Sequence, residues 1–178
     1  GAAPSQGLTE SALMLDPIPE VHECALASAA LVALSDNELS EAETLAIEGV
    51  FGHLVDDWQR YLVWDNALEA FADTGAVVIR GGVGTQRAVF QVLVHVLAAD
   101  GKVERSEIEM VCSIGDALRC GTLFRALLTP VLRALGEEVP DLSQVDRPIP
   151  MPARADEAEA ALEIFLRDML RRRGGEAT

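Results

Sequence analysis

The sequence predicts an all-α fold of seven to eight helices, built as a bundle around two pseudo-symmetric helix-turn-helix units. Two stretches and the composition carry that prediction. From Ala88 to Ala99 the chain is apolar except for Gln91 and His95; it breaks at Asp100-Gly101 and resumes as an apolar-periodic segment to Leu118. Twelve residues is long for a strand and suits a core helix, and this outweighs the β-branched Val89, Val92, Val94 and Val96. The same turn stands 64 residues earlier: Ser35 to Glu43 aligns with Ala99 to Glu107 on the pattern Asp-[Asn/Gly]-x-[Leu/Val]-x-x-x-Glu. Asn37 and Gly101 are residue types that most readily take positive φ, so the repeat extends to backbone chemistry. Aromatics are only 4% of a chain rich in Ala, Leu and Val, which favours closely packed helices.

Taken in order, residues 1–18 read as a flexible N-terminal segment, with a short helix possible from Thr9 to Leu15. A helix fits Pro19 to Leu34, with Val21, Ala25, Ser28 and Val32 on one face and Cys24 and Leu31 beside it. Ser40-x-x-Glu43 is a capping-box pattern opening the next helix, with Ile47, Val50, Phe51 and Leu54 inward. Trp58 to Asp73 reads as a further helix ended by Gly75. Ala76 to Thr85 reads as a flexible inter-helix loop. Its glycines lack the Gly-Lys-[Ser/Thr] ending and the Gly-x-Gly-x-x-Gly spacing of phosphate-binding loops.

Beyond the central pair, Thr122 to Leu135 is amphipathic, with Pro130 expected to kink it and Gly136 to end it. The two-repeat core is thus expected over residues 19–136. A proline-rich strap follows over 137–153, then an amphipathic helix over 154–173 with Leu162, Phe165 and Met169 on one side. That face must be buried against the core or in a homo-oligomer.

The chain has 178 residues, enough to bury about 70% of its unfolded surface in one core. Its net charge of −15 argues against nucleic acid as a partner and favours cations or basic proteins. No apolar run is long enough to span a bilayer, and no secretory leader pattern is visible. Cys24, Cys112 and Cys120 show no framework spacing and read as reduced thiols, so a cytoplasmic location is expected. His95 reads as a hydrogen-bonded core histidine rather than a ligand.

The acidic turns carry the chemistry. Each resembles the second half of a calcium-binding EF-hand loop. With Asp100 at loop position 5, Gly101, Val103 and Glu107 fall at positions 6, 8 and 12. Positions 1 and 3 then land on Val96 and Ala98, and in the first copy on Val32 and Leu34. Both copies lack the same two ligands, which excludes an ordinary EF-hand. Two readings remain. In one, the acids only satisfy free amides at helix starts. In the other, Asp36, Glu43, Asp100 and Glu107 pool into weak sites for a divalent cation such as calcium, zinc or manganese.

The motif Leu97-Ala98-Ala99-Asp100-Gly101-Lys102-Val103-Glu104-Arg105-Ser106-Glu107, with its earlier copy, resembles the TerB-like family of bacterial tellurite-resistance proteins and DnaJ-type co-chaperone domains. The resemblance covers roughly Val21 to Leu135. It implies an all-helical, non-catalytic module whose acidic positions bind divalent metal and which joins protein partners in a stress response. The metal positions carried over by motif are Asp36, Glu43, Asp100 and Glu107. A carboxylate-based metal-dependent hydrolase is a more distant alternative, because no nucleophile or oxyanion donor can be named beside these acids.

Overall fold

The computed structural model describes Leu15, residues 17–36 and residues 38–144. Among them it is helical throughout, with five α-helices and two short 3₁₀ helices: α1 (Pro19–Leu34), α2 (Glu41–Phe51), a 3₁₀ helix (Trp58–Leu62), α3 (Trp64–Leu97), α4 (Arg105–Ala117), α5 (Gly121–Ala134) and a 3₁₀ turn (Leu142–Gln144). No strand interrupts Val89 to Val96, which lie within α3. The count is below seven to eight for two reasons. Residues 9–14 and 154–173, where two helices were expected, lie outside the described residues, as does most of the strap. In addition, two expected helices are one.

That merger corrects the reading of Ala76 to Thr85 as a loop. α3 runs for 34 residues through all of it, bending at Gly82, where φ is 78° and ψ is −166°. Glycine alone takes that backbone comfortably. Helix persists on both sides because its inward residues are buried, including Ala76 and Val78 before the bend and Thr85 and Gln86 after it. Thr85 Oγ1 also donates to the Gly81 carbonyl across the bend at 3.3 Å. Gly75 does not end a helix, and the segment from Trp58 to Leu62 is a separate 3₁₀ helix.

The centre of the bundle is α1. Val21 and every residue from Cys24 to Ala33 are buried, so this helix is covered on all sides rather than along one face. Its alanines and Ser28 let neighbours approach closely, and Ser28 Oγ donates to the Cys24 carbonyl at 2.7 Å. α3 is its main partner, with α2, α4 and the 3₁₀ helix Trp58–Leu62 completing the shell. Pro19 opens α1, a position where its missing N–H costs nothing.

α4 and α5 form a tight corner. Arg119 takes a left-handed φ of 63°, and the Cys120 amide closes back on the Gly115 carbonyl at 2.8 Å. A side chain on Gly115 would collide with the Phe124 ring, which in turn stacks edge-on against Phe90 at 5.2 Å. Arg125 and Asp116, both buried, pair in two parallel bonds of 2.8 and 3.0 Å. Arg125 Nε also donates to the Leu142 carbonyl at 3.0 Å, tying the start of the strap to the bundle. Leu15 and Leu142 both join the apolar core, so that core reaches past residues 19–136 at each end. α5 continues through Pro130 to Ala134, and Gly136 follows with φ of 74°.

Candidate functional site

The two acidic turns repeat two side-chain hydrogen bonds, one accepted by the aspartate and one by the glutamate of each copy. α1 ends at Leu34 and α2 begins at Glu41; α3 ends at Leu97 and α4 begins at Arg105. In the first turn the Glu38 amide donates to Asp36 Oδ1 at 2.9 Å. In the second the Lys102 amide donates to Asp100 Oδ1 at 3.2 Å. Each aspartate thus folds its own loop as an Asx turn rather than capping a helix. Gly101 takes φ of 73° as its sequence position requires; Asn37, its counterpart, lies outside the described residues.

The glutamates begin the helices. Ser40 Oγ accepts from the Glu43 amide at 3.1 Å, and Glu43 Oε1 accepts from the Ser40 amide at 3.0 Å, a complete capping box. In the second copy Glu104 stands where Ser40 stood. The returning half is kept: Glu107 Oε1 accepts from the Glu104 amide at 2.8 Å. Reaching back in this way draws both carboxyls inward, and Glu43 is 3% and Glu107 2% exposed.

Inside, the two copies meet. The carboxyls of Glu43 and Glu107 share a hydrogen bond. Burial pushes the Glu107 carboxyl up to about 8; the Glu104 amide opposes this, while Glu43 and then Asp100 add to the rise. Two buried carboxylates side by side cannot both ionise cheaply. Near neutral pH the pair therefore keeps one proton, shared between the two carboxyls. The structure brings together Glu43 and Glu107, with Asp100 within electrostatic reach, and leaves Asp36 at its own turn.

Such a pair can exchange its shared proton for a small cation. Its donor atoms are all oxygen, the chemistry of calcium, magnesium and manganese rather than of thiolate- or imidazole-bound zinc. Among the described residues no group of three or more His, Cys, Asp or Glu side chains is arranged to hold a metal ion. A cation here would rest on two carboxylates and complete its shell with water.

Sequence reading missed several polar contacts. Glu137 Oε1 accepts from the Val103 amide at 3.4 Å, adding a carboxylate to the second turn only. Its signal was weak, because Glu137 lies 34 residues from Val103 and after a glycine turn. The Asp116–Arg125 pair had a better signal: Asp116 is a lone charge in the apolar run from Ile114 to Leu118. Elsewhere burial silences the reactive groups. It pushes the Cys24 and Cys120 thiols up to about 12 and lowers the half-buried His95 below its ordinary value, so neither thiolate chemistry nor imidazolium chemistry is favoured. No helix among the described residues is long and apolar enough to cross a membrane.

Compared with protein-family models, curated proteins and solved structures, the chain matches none.

Proposed function

We propose that this chain is a non-catalytic helical module of the TerB-like kind that binds a divalent cation weakly between its two repeats and couples that binding to association with a protein partner. The observation that carries the reading is the meeting of Glu43 and Glu107. Two glutamates at equivalent positions of a duplicated motif leave a proton where a cation would fit. Asp100, exposed at the second turn, adds negative potential, and Asp36 stays at the first turn. Calcium or manganese suits this oxygen-only set better than zinc. With few protein ligands the affinity belongs in the range of about 10⁻⁴ to 10⁻³ M. A cation displacing the shared proton makes the affinity rise with pH and releases protons on binding.

A bacterial tellurite or metal stress response is the setting that the family resemblance implies, and the net charge of −15 suits a basic partner surface. A second reading rests on its own observation. Every motif carboxylate already accepts a backbone amide, so the acids serve as braces and the domain is a purely structural interaction module. Calorimetric titration with manganese and calcium separates the two: heat and proton release support the cation site, and their absence supports the braces.

A further inference from the structure

A concavity lies apart from the acidic turns. A cleft of about 260 Å³ opens where α1, the 3₁₀ helix Trp58–Leu62 and the first turns of α3 meet, lined by Glu23, Arg60, Tyr61, Asn66, Glu69 and Asp73. Its floor is held in place. Asn66 Nδ2 donates to the Arg60 carbonyl at 2.9 Å, and the Arg60 amide donates to the Asp57 carbonyl at 3.0 Å. The Arg60 guanidinium lies 4.9 Å over the Tyr61 ring and donates to the Tyr61 hydroxyl at 2.8 Å.

Tyr61 is 2% exposed. Its hydroxyl oxygen is satisfied by Arg60, but no described residue accepts the hydroxyl proton. The hydroxyl lines the cleft, so its proton is available to an acceptor bound there. On the opposite wall Glu69 and Asp73 stand four residues apart on one face of α3. Like charges at that spacing weaken a helix, and neither forms an ion pair among the described residues.

We propose that this cleft binds a small zwitterion of the amino-acid class, its carboxylate on the Arg60 guanidinium and the Tyr61 hydroxyl and its ammonium on Glu69 and Asp73. The pairing engages both walls of the cleft at once. A plain anion would face three carboxylates with one arginine to hold it. A plain cation, metal ions included, would leave the Tyr61 proton without an acceptor and meet Arg60 in the same space. The inference is independent of the Glu43–Glu107 reading.

The test is a thermal-shift and calorimetric screen of the full-length protein with the common amino acids at millimolar concentration, against acetate and methylamine at the same concentration. At least one amino acid is expected to bind and raise the melting temperature, with acetate and methylamine producing no shift. Tyr61→Phe, which removes only the hydroxyl, should weaken that binding about tenfold. Glu69→Gln, at the exposed edge, should weaken it comparably and serves as the second variant; the unliganded melting temperatures verify that both fold. Binding of no amino acid, methylamine binding as well as the amino acid, or unchanged affinity in Tyr61→Phe each overturns the proposal.

Discussion

Glu43 and Glu107, 64 positions apart in the chain, meet carboxyl to carboxyl in the interior, each still anchored to the amide three residues before it. The contact joins the two copies of the motif directly in the folded chain. It also has a consequence for pH. An unfolded glutamate titrates at about 4.3, whereas burial beside Glu43 pushes the Glu107 carboxyl up to about 8. Between those values the native state holds a proton that the unfolded state has lost, so stability falls as pH rises across the window. The contribution is fully present below the lower value and lost above the upper one. Urea denaturation midpoints from pH 5 to pH 9 should show this decline.

Glu107→Gln isolates the proton. Glutamine keeps an oxygen for the Glu104 amide and presents an N–H toward Glu43, imitating the protonated acid. The variant should exceed the wild type by a margin that widens from pH 5 to pH 9, with a flatter pH profile in denaturant titrations. A variant equally destabilised at both pH values would mean that the carboxyls do not share a proton.

The α4–α5 corner depends on the Asp116–Arg125 pair. Arg125→Met strands a buried carboxylate and should cost about 3–5 kcal/mol. Adding Asp116→Asn removes the stranded charge and should restore a substantial part, measured as a coupling energy in a double-mutant cycle. Gly121→Ala should also be strongly destabilising, because a Cβ there collides with both partners.

The bend in α3 allows a comparison of two glycines. Neither Gly82 nor Gly84 has any atom within 4 Å of a would-be Cβ. Gly82→Ala forces a side chain onto a glycine-only backbone and should cost about 1–3 kcal/mol. Gly84→Ala, in ordinary helical geometry and exposed, should gain about 0.5–1 kcal/mol. Thermal melts of the two variants should move in opposite directions.

Those glycines also mark where the sequence misled. Gly75, Gly81, Gly82 and Gly84 read as breakers because propensity is local, while the helix is kept by the burial of Val78 and Thr85 against distant residues. Ser40 and Glu43 gave the start of α2 directly, since a capping box is complete within four residues. α1 was found but read as one-sided, because its small residues carry little contrast between faces. The 64-residue offset made Glu43 and Glu107 equivalent in the sequence. It did not reveal that they touch, because the meeting of the two helix starts depends on how α2 and α4 each pack against α1 and α3. Asp36 and Asp100 were legible as acids of a turn, but their use as Asx braces depends on backbone geometry. Arg60 and Tyr61 gave no signal, as the cleft exists only once α1 and α3 are side by side.

The proposed cation takes the place of the proton between Glu43 and Glu107. The most direct measurement is a manganese titration by calorimetry at pH 7 and pH 8.5 in buffers of differing ionisation enthalpy, on the wild type and on the Glu43→Gln/Glu107→Gln double variant. The expected result is weak binding by the wild type that tightens with pH and releases protons at pH 7, and no such binding by the double variant. Identical responses from the two proteins, or binding without proton release, would contradict it.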